Sequence, residues 1–237
     1  MIINRRRFLA VVAGLAGSSA LPKLSLADNP TDTPLHGLSA FGDLKYPKDF
    51  SHFEYASPGA PIGGTFNFQP GYWYFNQNTQ TFNTLNSFVR RGDAPPRMEM
   101  CYDSLMASAH DEPDAVYCHL AESVVISPDG NRFTFKVRNI ARWHDGTPIT
   151  AEDVAFTYTT IKEQGHPQLS LPLAPLIEAR VDDTRTITLV FDGTQSAQDI
   201  LAIATNVPIL SKVWYDSAEF DSSTLTPPLA SGPYKVG

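Results

Sequence analysis

The stretch from Leu120 to Glu163 constrains this chain most, because two different periodicities follow each other there with marked turns between them. Glu122 to Ile126 reads as a strand. Ser127-Pro128-Asp129-Gly130 is a turn, in which Pro pre-sets the backbone angle and Gly accepts a positive φ. Arg132 to Arg138 then alternates strictly, with Phe133, Phe135 and Val137 on one face and charge on the other. The two segments make a hairpin with one buried face. After the turn at His144-Asp145-Gly146, Thr150 stands three residues before Asp153. Its hydroxyl can cap the first helical turn, while Glu152 and Asp153 suit the positive end of the helix. Val154, Ala155, Tyr158 and Ile161 then recur at helical spacing.

Residues 28–62, rich in Pro, Gly and Asp, form an extended segment that wraps a surface. Gly63-Gly64 opens a strand over Thr65 to Gln69, followed by an aromatic and Asn-rich stretch, Pro70 to Asn86, with no period. Met98, Tyr102, Leu105 and Met106 share one helical face, which predicts a helix over Arg97 to Ala107. A Pro/Leu-rich loop after Gly165 leads to an apolar piece near Leu176, a strand from Thr186 to Phe191 and a helix from Ala197 to Ala204. This mixture predicts an α/β (mixed α+β) class.

The N-terminus reads as an export signal. Met1 to Arg7 is basic, Phe8 to Ala16 is apolar, and Ser25-Leu26-Ala27 precedes Asp28. The apolar run is far shorter than the ~20 residues a membrane-spanning helix needs. Arg5-Arg6-Arg7-Phe8-Leu9 has twin-arginine character. Cleavage after Ala27 places the mature chain in the periplasm. It removes four of the 18 basic residues and none of the 25 acids, so the net charge moves from −7 to −11. So acidic a chain, without a basic run, is a poor partner for nucleic acid. The two cysteines, Cys101 and Cys118, are compatible with a disulfide in that compartment and equally with two separate buried thiols.

No residue pattern supports catalysis or a cofactor. His144-Asp145 sits in a turn and shapes it, and His110, Asp111, Glu112, His119 and Glu122 lack any established ligand spacing. There is no GxSxG, and Gly59 to Gly64 lacks the phosphate-binding glycine order. Binding residues gather on irregular loops, so the aromatics and amides of this aperiodic stretch are the best candidates for ligand contact. Tyr72, Trp73, Tyr74, Asn83 and Asn86 meet that description, although such rings equally serve a lobe's own core.

Several blocks carry a resemblance to a known family. They are Leu120-Ala121-Glu122-Ser123, Ser127 to Gly130, Phe133 to Arg138, Trp143 to Val154, Pro208 to Lys212 with Trp214, and Ser231 to Val236. Together they resemble the family-5 extracellular solute-binding proteins, the peptide- and nickel-binding components of ABC importers. His36 to Pro47 and Pro58 to Thr65 are similar to the YejA-like oligopeptide branch. Cys118-His119, the aromatic loop at 71–78 and Asn83 depart from that branch. The resemblance implies a two-lobed periplasmic binding fold that closes on an oligopeptide and delivers it to ABC permease subunits, with nickel or another solute, or an exported enzyme, as alternatives. It further implies that residues 63–237 make up part of lobe I, that the loop after the first strand borders the cleft, and that a second lobe lies outside this sequence.

Overall fold

A computed structural model of the chain describes residues 29–61, 63–65 and 74–236, together with Leu26 and Asn67. Apart from Leu26, the expected export signal lies outside the described residues, as do Tyr72 and Trp73. Of the strand expected over 65–69, only Thr65 and Asn67 are described, and neither is in a strand. The strands are β1 (Gly37–Ser39), β2 (Met106–Ala109), β3 (Glu112–Cys118), β4 (Ala121–Ile126), β5 (Arg132–Val137), β6 (Leu176–Val181) and β7 (Thr186–Phe191). The helices are α1 (Ala151–Gln164), α2 (Pro167–Ser170), α3 (Ala197–Asn206) and α4 (Lys212–Tyr215), with a 3-10 turn at Met98–Cys101.

The alternation in β5 builds the larger sheet, antiparallel in the order β4-β5-β7-β6. Phe133 stands opposite Leu189 and Phe135 opposite Ile187 on β7, while Val124 and Ile126 face them from β4. All six side chains are buried, and each contributes about 1.5–3 kcal/mol on leaving water. The second sheet is antiparallel in the order β1-β3-β2. Leu35 joins the two sheets, exchanging both backbone hydrogen bonds with Val124 on β4 at 2.8 and 3.0 Å just before β1 begins. The N-terminal segment supplies a strand, β1, whose three residues are buried.

Helix α1 begins with the expected cap. Thr150 and Asp153 form a reciprocal capping box, in which Asp153 Oδ2 accepts from Thr150 N at 2.9 Å. Asp153 Oδ1 also accepts from Lys212 N at 3.0 Å, and Thr157 Oγ1 accepts from Leu210 N at 2.9 Å. These bonds lock the chain ahead of α4 onto α1. A separate strap closes the other end. Gly232 N donates to Cys101 O at 2.8 Å, and the His144 Nε2–H and backbone N donate to Gly232 O and Ala230 O, both at 2.8 Å. His144 therefore shapes its loop, as its place in a turn implied.

Two expectations are corrected. The helix over 97–107 is replaced by the short 3-10 turn and β2, because Met106 pairs with Cys118 on β3 and Tyr102 is already extended. Cys101 and Cys118 are free thiols, so the bridge is not formed and the separate-thiol alternative holds. Cys101 lies under Gly232, whereas the Cys118 thiol donates to Leu35 O at 3.7 Å. Burial pushes the Cys118 thiol up to about 12 and raises Cys101 as well.

Two outcomes follow for solution measurements. A Cβ at Gly232 would lie 2.6 Å from backbone atoms of Cys101 and Tyr102, whereas Gly59 faces open space. Gly232→Ala is expected to cost about 1–3 kcal/mol in chemical denaturation, while Gly59→Ala stays within about 0.5 kcal/mol. Thiol labelling without reductant should count two thiols per denatured chain and slow or no reaction in the native chain at pH 8. A denatured chain with no reactive thiol would show that the bridge forms.

Candidate functional site

The stretch from 74 to 103 has little regular structure, so side chains hold it in place. Asn76 Nδ2 donates to Asn86 O at 3.0 Å and to Arg91 O at 2.8 Å, drawing the two ends of a loop together. The buried Gln77 donates from Nε2 to Glu99 Oε2 at 2.6 Å and accepts from Arg97 N at 3.2 Å. Arg97 and Phe75 both have positive φ, at 69° and 54°, a strained choice for residues with large side chains. Phe75 is held there by Gln168 Oε1, which accepts from its backbone N at 2.8 Å.

These constraints produce a small pocket of about 150 Å³. Tyr74, Phe75, Phe88 and Tyr102 supply aromatic wall, Glu99 and Asp103 supply carboxylates, and Thr205 and Asn206 at the end of α3 close the far side. The Phe75 ring packs edge-on to Phe88 at 5.8 Å, and Phe88 edge-on to Tyr102 at 4.9 Å. Burial raises the Tyr102 phenol well above its ordinary range, so Tyr102 stays neutral. Arg97 Nη1 reaches Glu99 at 3.3 Å, and His119 Nε2 lies 3.0 Å from Asp103 Oδ1. A pocket with aromatic walls and two carboxylates suits a cationic group on an apolar stem, such as a peptide's ammonium end.

The candidates read from sequence separate here. Tyr74 is half-buried and lines the pocket. Asn86 is 5% exposed and spends its amide internally, donating to Phe220 O at 2.6 Å and accepting from Phe88 N at 3.2 Å. Asn83 clamps the loop, its Oδ1 accepting from Asp93 N at 2.9 Å. Both hold the loop in shape, Asn86 from the interior and Asn83 from an exposed position. Gln77, Glu99 and Asp103 escaped sequence reading, because Glu99 and Asp103 fall within the stretch read as a helix. Among the described residues no group of three His, Cys, Asp or Glu is placed to hold a metal ion, and no helix is long and apolar enough to cross a membrane.

Solved structures share the fold. The oligopeptide-binding protein AppA from Bacillus subtilis, in complex with a nonapeptide, matches 68% of this chain and 32% of its own at a TM-score of 0.51. NikZ from Campylobacter jejuni, in complex with Ni(L-His), matches 58% of this chain and 27% of its own, also at 0.51. Both are 18% identical to it and speak to fold alone, which is that of part of a periplasmic binding protein. The family model for bacterial extracellular solute-binding proteins, family 5 Middle, matches residues 115–237, and the chain belongs to that family. It is 33% identical across its whole length to the probable peptide-binding protein YejA of Agrobacterium fabrum. It is 32% identical over 94% of its length to the peptidoglycan-binding protein YepA of the same organism. It spans 38% and 35% of those two relatives.

The assignment of Asn86 as a pin has a direct test. Asn86→Ala leaves Phe220 O unpaired in the interior and should cost about 1–3 kcal/mol of stability in a denaturation curve. Retained stability with weakened ligand binding would return Asn86 to the site.

Proposed function

We propose that this protein is exported to the periplasm and binds oligopeptides or peptide-like ligands there for delivery to ABC permease subunits, without covalent chemistry. The observation that carries the reading is whole-length similarity to a relative named for peptide binding. A second relative is named for binding peptidoglycan, a polymer that itself carries peptides. Nickel is the weaker reading, since the described residues offer no metal cluster.

In this reading the pocket beside Tyr74 receives one end of the ligand, and Tyr72 and Trp73 remain ligand contacts read from the sequence alone. Asp103 sets a negative potential that favours an ammonium group, whereas Glu99 is already paired with Arg97. Asp103, with only 16% of its side chain exposed, acts in a poorly screened setting. Main-chain hydrogen bonds along the ligand would then leave sequence preference loose, as a nutrient or cell-wall scavenger requires.

Calorimetric titration of the purified protein with a short peptide library tests this. Tyr74→Ala is expected to weaken binding about 10-fold, the scale of losing one aromatic contact. Asp103→Asn should weaken peptides with a free amino terminus about 5–10-fold and N-acetylated ones far less. Binding of no peptide, or turnover of one, would sink the proposal.

A further inference from the structure

We propose that the chain carries a second small-molecule site, on the far side of the Asp103–His119 pair, which takes an anion with a flat apolar body, of the aromatic carboxylate class. It is a recess of about 530 Å³ between residues 48–56 and the corner where β3 meets β4. Phe50 and Phe53 form its apolar wall, backed by the buried Tyr117 ring, and Lys48, His52 and Arg138 form its polar rim.

The wall is built before any ligand arrives. Phe50 and Phe53 lie 5.3 Å apart and meet the Tyr117 ring edge-on at 5.2 and 5.7 Å. The segment that carries them has no helix or strand, yet it is tightly anchored. Lys45 Nζ bridges Glu54 at 2.7 Å and Asp111 at 2.6 Å, and the Tyr46 hydroxyl donates to Asp111 at 2.5 Å. Tyr46 N donates to the Tyr117 hydroxyl at 3.1 Å, and that hydroxyl donates to Glu112. Pre-ordering of this kind reduces the entropy lost when a ligand binds.

Charge selects the ligand. The whole sequence has 25 acids against 18 basic residues, yet the recess presents Lys48 and Arg138. Its one carboxylate, Glu122, is already matched by Lys136 at 2.8 Å and Arg185 at 3.4 Å. Arg138 is aimed by its own bonds: Nε donates to His119 O at 2.6 Å and Nη2 to Cys118 O at 3.2 Å. Nη1 has no hydrogen bond among the described residues, so an oriented donor remains for an anion. A metal does not fit, because no three of the recess's His, Cys and acidic groups converge. A cationic rim over an aromatic wall fits a carboxylate borne on a ring.

The test is a ¹H–¹⁵N NMR titration of the 237-residue chain with 3-phenylpropionate, with 3-phenylpropionamide and acetate as probes lacking the charge and the ring. Phenylpropionate should shift the amides of residues 48–56 and 117–119, and each control should bind at least about 5-fold more weakly. Lys48→Gln, at an exposed position with no structural bond, should weaken phenylpropionate about 3–5-fold, whereas Tyr74→Ala should leave it unchanged. The proposal is overturned if the shifts fall elsewhere, if the amide or acetate binds as well, or if Lys48→Gln has no effect. Loss of binding in Tyr74→Ala would also overturn it, by placing the probe in the first pocket.

Discussion

A one-residue slip of β5 against its neighbours would turn Phe133, Phe135 and Val137 from the interior to the surface, and the rest of the structure depends on that register. The buried face it creates receives α1 through Tyr158 and Ile161 and α3 through Ile200, Ile203 and Ala204. Helix α1 in turn fixes the approach to α4 through Asp153 and Thr157. The end of α3 then arrives where Thr205 and Asn206 close the first pocket. Regular structure thus supplies the rigid back of the site, and irregular loops supply its chemistry.

The loops are rigid for a different reason. Around 74–103 and 41–56, buried or half-buried polar groups replace a secondary-structure ladder, each satisfying backbone that would otherwise be left unpaired. Gln77, Asn76 and Asn86 do this beside the first pocket, and the Tyr46 and Tyr117 hydroxyls do so beside the second recess. The two sites share a corner, where the His119 ring meets Asp103 and its carbonyl receives Arg138. Such networks fail as units when one member is removed, because each lost partner leaves a buried group unsatisfied.

Legibility in the sequence followed the range of the interactions. The hairpin, the capped helix, the β7 segment and α3 are set by local periodicity and capping, and they fall within a residue or two of where the sequence placed them. Met98, Tyr102, Leu105 and Met106 are buried as expected but do not share an α-helix: Met98 opens the 3-10 turn and Met106 pairs with β3, which overrides local preference. At the site, Tyr74 lines the pocket, and the signal read in the sequence was an aromatic ring in an irregular loop. Asn83 and Asn86 looked alike in sequence and differ in what they serve only once their distant partners, Asp93 and Phe220, are brought beside them. Lys48 and Arg138 lie ninety residues apart in the chain, and no pattern links them.

The central claim is that a peptide end sits in the pocket formed by Tyr74, Glu99 and Asp103. Photo-crosslinking with a short peptide that carries a benzoylphenylalanine next to its free amino terminus, followed by mass-spectrometric mapping, tests it most directly. Adducts should concentrate in residues 72–75 and 99–103 and be competed by unlabelled peptide. Competable adducts confined to other segments would contradict the account.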